Sequence, residues 1–228
     1  MTTQTMTIVG DLAPAADAGR ILLVMLPGAY MSAADFTRHG FVAALGRYDW
    51  PIDVIAVETG IDRYLDNCIA ERLHQEIILP AQARGYRRLW LHGISLGGMG
   101  ALLYAQAHPK TVEGILLLSP FLGTRGLIAE IAAAGGLRHW PGVQQAPTYE
   151  QSLLTALGQY QTDEESWPKL LLGYGVQDRF AAAHRLLAEL LPEDRVFTAE
   201  GGHDWETWTG LWHRMLGCAP FAILPPRG

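Results

Sequence analysis

The stretch Gly93-Ile-Ser-Leu-Gly97 sets Ser95 between two glycines, where the apolar run Arg88–His92 gives way to the helix-like segment Leu96–His108. A serine on a sharp strand-to-helix turn stands its hydroxyl clear at the end of a sheet. Glycines on either side spare that turn the collisions a Cβ would cause. A serine hydroxyl is a weak nucleophile, so its use requires a base to take the proton and a carboxylate to orient the base. On a strand–elbow–helix frame these partners follow in the order serine, acid, histidine.

Two residues fit that order. Asp178 sits in the turn after the apolar LLLGYG, and His203 sits in the Gly-Gly turn of FTAEGGHDW. The chain between Ser95 and Asp178 has room for a strand, an insertion and another strand; that between Asp178 and His203 has room for one helix and one strand. Both partners thus fall at the carboxyl ends of successive strands, where open α/β sheets collect ligands. The competing readings are that Asp178 merely caps the following helix and that His203 is an exposed loop residue. Should Asp178 not serve, Glu200, Asp204 and Glu206 are the other acids near His203. His92, just before the elbow, reads as a packed or hydrogen-bonded group behind the site. His39, His74, His108, His139, His184 and His213 fall in helical or inserted segments and are weaker candidates.

A tetrahedral intermediate also needs donors for its oxyanion. The backbone N–H of Leu96, directly after the nucleophile, is one. The second is expected from PGAYMSAADF, the loop after the ILLVML strand, where Gly28 allows close approach and Ala29 is favoured over Tyr30 as donor. Tyr30 could instead line the substrate pocket or donate its hydroxyl.

These residues need a sheet to hold them. Short apolar runs at Arg20–Leu26, Ile52–Val57, Arg88–His92, Gly114–Leu118, Lys169–Tyr174 and Arg195–Ala199 read as strands, several continuous enough to be buried on both faces. Helical patterns alternate with them at Asp62–Arg84, Leu96–His108, Phe180–Leu190 and Trp205–Met215. The alternation predicts an α/β fold with a mostly parallel sheet flanked by helices. Trp205, Trp208 and Trp212 share one helical face, read as core packing. About fifty residues, 120–168, are too many for a plain crossover and are expected to hold a small lid or insertion. Phe121, Trp140 and Trp167 are its candidate pocket walls.

A length of 228 residues suits a single domain, 1–228. The composition is 49% hydrophobic and 18% charged, that of a globular protein. A net charge of -6 without a Lys/Arg cluster argues against nucleic acid or an anionic membrane surface as partner. No apolar run approaches a membrane span, the first ten residues do not resemble a signal peptide, and Cys68 and Cys218 suggest neither a disulfide scaffold nor a zinc site. The expectation is a cytoplasmic protein.

Together these motifs resemble the α/β-hydrolase superfamily over nearly the whole chain. GISLGGMGALLYAQAHPKTVEGILLLSPFL resembles the elbow and following strand of the esterase D-like, or putative esterase, group of small carboxylesterases, and GGHDWETWTGLW is similar to its histidine segment. One departure is Pro27-Gly28, where the superfamily often has His-Gly. The resemblance implies hydrolysis of a small-molecule carboxylic ester or thioester through an acyl-enzyme on Ser95, with His203 as base and Asp178 as its acid. It requires no metal and no organic cofactor. A thioesterase, acyltransferase or peptidase on the same triad is the nearest alternative. A non-catalytic binding protein on a hydrolase scaffold is a more distant one, since all three catalytic side chains are present. The apolar GLIAEIAAAGGL could support a homodimer.

Overall fold

The computed structural model describes residues 5–17, 19–160, 167–218 and 220–221. Strands β1 (Ile8–Val9), β2 (Ile21–Leu26), β3 (Ile52–Val57), β4 (Arg88–Ile94), β5 (Gly114–Leu118), β6 (Lys169–Gly175) and β7 (Val196–Ala199) form one sheet in the order β1-β3-β2-β4-β5-β6-β7. All neighbouring pairs are parallel except β1 with β3. The two-residue β1 is too short to leave a periodic signal, and no strand is expected there from sequence.

The apolar runs make sense as two-faced strands. Successive side chains of a strand point to opposite faces. Leu22, Val24 and Leu26 join one core with Leu91 and Leu117, while Ile21, Leu23 and Met25 join a second with Trp90 and Leu116. Each fully buried leucine or isoleucine contributes roughly 1.5–3 kcal/mol, so both faces must be covered.

The helices supply that cover. Between β2 and β3 lie α1 (Ala33–Arg38) and α2 (Phe41–Leu45). Between β3 and β4 lie α3 (Asp62–Leu65), α4 (Ile69–Leu73), a π-helical turn His74–Ile78, and α5 (Leu79–Ala83). This corrects the expectation of one helix over Asp62–Arg84. Asn67 takes a φ of 54°, which ends α3. Pro80 offers no N–H and its ring crowds the carbonyl four residues back, so the turn before it widens. Further on come α6 (Leu96–Ala107), α7 (Arg125–Ala133), α8 (Tyr149–Gly158), α9 (Ala181–Ala188) and α10 (Trp205–Gly217). Helices α7 and α8 occupy the 120–168 insertion, of which residues 161–166 lie outside the described residues. Among the described residues no helix is long and apolar enough to cross a membrane.

Candidate active site

Ser95 caps α6 at the end of β4 with φ 52° and ψ -116°, a conformation costly for any residue with a Cβ and one that clusters at functional sites. The glycines around it make that turn possible. A Cβ on Gly97 would lie 2.0 Å from the Leu26 carbonyl oxygen, and one on Gly93 would lie 2.4 Å from that of Gly97. The elbow is therefore pressed between β2 and its own helix, with its backbone N–H donating to Leu118 at 3.0 Å.

The residues predicted as base and acid meet it. His203 Nε2 lies 3.0 Å from Ser95 Oγ, and His203 Nδ1 lies 2.8 Å from Asp178 Oδ2. With Nδ1–H donating to the carboxylate, Nε2 is left to accept the serine proton. The Asp178 side chain is fully buried. Burial alone would push its carboxyl up, but the hydrogen bond from His203, the N–H of Phe180 at 2.8 Å and the Ser119 hydroxyl outweigh it. They hold the carboxyl below the usual carboxylate range. Phe180 and Trp208 close edge-on against the imidazole from two sides, at 5.2 and 4.9 Å between ring centres.

The neighbouring acids are otherwise engaged. Asp204 caps α10, accepting from Thr207 N–H at 2.9 Å. Glu200 accepts from Gln177 at 2.6 Å, and Glu206 is exposed. His92 is fully buried among Phe36, Phe41 and Trp212, with its Nδ1 2.9 Å from the Leu116 carbonyl oxygen. Burial pushes it down to about 3.

A cavity of about 490 Å³ opens over Ser95, with Ala29, Leu96, Met99, Phe121, Tyr64 and Phe180 among its walls. The Leu96 N–H stands in the first turn of α6, where no carbonyl of the helix can reach it. Ala29 approaches from the loop after β2. Gly28 lets that loop press against the elbow: a Cβ there would lie 3.2 Å from that of Ser95 and 2.6 Å from Met31 Sδ.

Three expected pocket residues are placed elsewhere. Tyr30, at φ 61°, turns its ring outward and is 98% exposed, outside the cavity walls. Trp140 is buried, with its N–H donating to Glu130 at 2.8 Å, so it ties the turn after α7 back onto that helix. Trp167 lines a separate hollow with Arg87, Lys110 and Lys169, where β4, β5 and β6 begin, at the opposite end of the strands. Of the insertion, Phe121 and the start of α8 (Thr148, Tyr149 and Glu150) reach the cavity. Sequence reasoning missed Tyr64, Met99 and Phe180 as walls. Phe180 carried a signal, standing two residues after the candidate acid; Tyr64 and Met99 carried none beyond helical periodicity. Among the described residues no cluster of three or more His, Cys, Asp or Glu side chains is placed to hold a metal ion.

The family model described as "Putative esterase" matches residues 53–217, which include Ser95, Asp178 and His203 and leave the Gly28–Ala29 loop outside. Among proteins of curated function, none matches the sequence. Solved structures similar to the chain include a "predicted CIB-like hydrolase" from Thermoplasma acidophilum, at 16% identity and a TM-score of 0.61, covering 96% of this chain and 100% of that one. The S-formylglutathione hydrolase of Staphylococcus aureus is similar at 13% identity and a TM-score of 0.59, covering 96% and 98%. A carboxylesterase from Bacillus subtilis is similar at 17% identity and a TM-score of 0.55, covering 96% and 88%. The fold is that of the α/β-hydrolases.

Proposed function

The chain belongs to the Esterase family, and from that premise we propose that it cleaves a small-molecule carboxylic ester through an acyl-enzyme on Ser95. The observation that carries this reading is the continuous hydrogen-bonded path from Ser95 Oγ through His203 to the buried Asp178, at 3.0 and 2.8 Å.

In the first half of the reaction Ser95 Oγ attacks the ester carbonyl carbon while its proton passes to His203 Nε2. Asp178 accepts the hydrogen bond of the resulting imidazolium and keeps its ring in place. The developing oxyanion takes hydrogen bonds from the backbone N–H groups of Leu96 and Ala29. The intermediate then collapses, the carbon–oxygen bond to the alcohol breaks, and the alcohol leaves with the proton from His203. In the second half His203 takes a proton from water as the water oxygen attacks the acyl carbon. Collapse of that intermediate returns the proton to Ser95 and releases the carboxylic acid.

The walls of the cavity suit an apolar group on the ester. Leu96, Met99, Phe121 and Phe180 offer hydrocarbon surface close to the nucleophile. Hydrolysis of p-nitrophenyl esters from acetate to decanoate, beside the matching thioesters and with Ser95→Ala in parallel, tests the reading. Turnover of the oxygen esters that is lost in the variant is expected. Equal turnover by a folded Ser95→Ala protein would overturn the acyl-enzyme, and turnover of thioesters alone would move the substrate class.

A further inference from the structure

Ser119 directly follows β5, is fully buried, and holds a φ of 45°. That backbone region is easy for glycine and strained for a residue with a Cβ. A buried serine there invites the question of what its side chain touches. Its Oγ accepts a hydrogen bond from Trp208 Nε1 at 3.0 Å, which leaves its own proton free to be donated, and the hydroxyl favours the charged form of the Asp178 carboxylate.

The surroundings leave this serine little freedom. Its own N–H donates to the Gly173 carbonyl at 2.8 Å, and two residues on Phe121 N–H donates to the Ser95 carbonyl at 2.8 Å. Between them the Pro120 carbonyl accepts from the buried His184 Nε2 at 3.0 Å. The turn is thus tied to the acid strand on one side and to the nucleophile elbow on the other. Trp208 reaches both halves of the catalytic pair: its ring stands edge-on to His203 at 4.9 Å and 86°, and its N–H ends on Ser119. Its place on the tryptophan stripe of α10 explains its burial but not that hydrogen bond.

We propose that Ser119 and Trp208 are positioning residues of the catalytic triad. The indole N–H occupies the serine lone pair and so sets the hydroxyl rotor, which directs its single proton toward Asp178. With Phe180 N–H on Oδ1 and His203 on Oδ2, the carboxylate then has a fixed orientation and shares its charge among three donors. The indole ring meanwhile limits the swing of the imidazole between Ser95 and Asp178. This inference rests on the proposed role of Ser95.

Ser119→Gly removes the hydroxyl while suiting the backbone, and Trp208→Phe removes the N–H while keeping a ring against His203. For folded Ser119→Gly we expect kcat to fall between about 10- and 100-fold with KM within about 2-fold of wild type. A carboxylate with one donor fewer holds the imidazolium proton more firmly, so the acid limb of the kcat/KM profile is expected to move to higher pH. Trp208→Phe should move both readouts the same way, and the double variant should add little, as residues acting through one contact do. Trp205→Phe, which changes a ring packed on Trp208 without a hydrogen bond to Ser119, should leave the acid limb in place. A folded Ser119→Gly enzyme with wild-type kcat, or with lowered kcat and an unmoved acid limb, would overturn the positioning role. If the wild-type protein turns over no ester, the ester reading fails by itself. The pH dependence of fluorophosphonate labelling at Ser95 then decides the role of Ser119 by the same comparison.

Discussion

Where β2, β4 and β5 begin, charged side chains close on one another. Arg20 grips Asp53 through two bonds of 2.6 Å, Tyr86 donates to the same carboxylate, and Arg88 and Trp90 converge on Glu113 at 2.9 and 3.0 Å. Where the same strands end, the backbone is strained instead. Tyr30, Ser95 and Ser119 each hold a positive φ of 45–61° just beyond β2, β4 and β5, and glycines clear the space around Ser95. The first edge gathers charged contacts that favour the folded chain, with Lys110 before β5 also at a positive φ of 64°; the other holds three such residues, the candidate nucleophile among them. Strain of this kind persists where the surroundings over-determine it, and two cores on either side of the strands do so here.

The contrast predicts that activity and stability come apart according to the edge that is changed. Ser95→Ala should abolish ester hydrolysis by about 10³-fold or more while the melting temperature stays near that of wild type, measured by kinetics and calorimetry on one preparation. Gly97→Ala tests the clearance at the same edge. A methyl group 2.0 Å from a backbone oxygen has no side chain to push aside, so a loss of about 3 kcal/mol or more is expected, readable in urea unfolding. At the opposite edge, Asp53→Asn leaves Arg20 and Tyr86 without their shared carboxylate. It should cost about 1–3 kcal/mol in the same unfolding experiment with kcat unchanged. A large loss of kcat there would break the division between the edges.

Acid sharpens the comparison further. His92 and His184 lie behind the edge that carries Ser95, and burial holds them down to about 3 and about 4, against an ordinary 6.5. The unfolded chain therefore binds protons that the folded chain refuses. Stability is complete above about pH 6.5 and falls as pH drops from there toward those lower values. A loss of about 1 kcal/mol or more for each histidine is expected by about pH 5.5, and a melting temperature flat over that range would contradict the burial argument. The smallest effects are in substrate choice. Phe121→Ala should raise KM for a long apolar acyl ester roughly 10-fold, whereas Tyr30→Ala should leave it within about 2-fold.

The legibility of the molecule followed the range of the forces involved. Continuous apolar runs reveal strands because burial on two faces acts residue by residue, and the elbow was readable because its glycines stand within two residues of Ser95. Asp178 and His203 could be paired with Ser95 from chain order and loop type, and the structure joins the three by hydrogen bonds. Tyr30 and Trp140 were misplaced because neighbours in the chain do not say which way a side chain turns: a positive φ sends the first outward, and a hydrogen bond to Glu130 draws the second inward. The break in Asp62–Arg84 lay in residues that are visible, Asn67 and Pro80, but helical periodicity masks both. Ser119 left no trace, since its partner Trp208 is distant in sequence and meets it only in the folded chain.

The central claim is that Ser95 is the group that becomes acylated. Intact-mass and peptide-mapping spectrometry after treatment with a fluorophosphonate tests it most directly. One adduct per chain on the peptide bearing Ser95, lost in Ser95→Ala and strongly slowed in His203→Ala, is the predicted result. An adduct on any other residue, or equal labelling of the Ser95→Ala protein, would contradict the account.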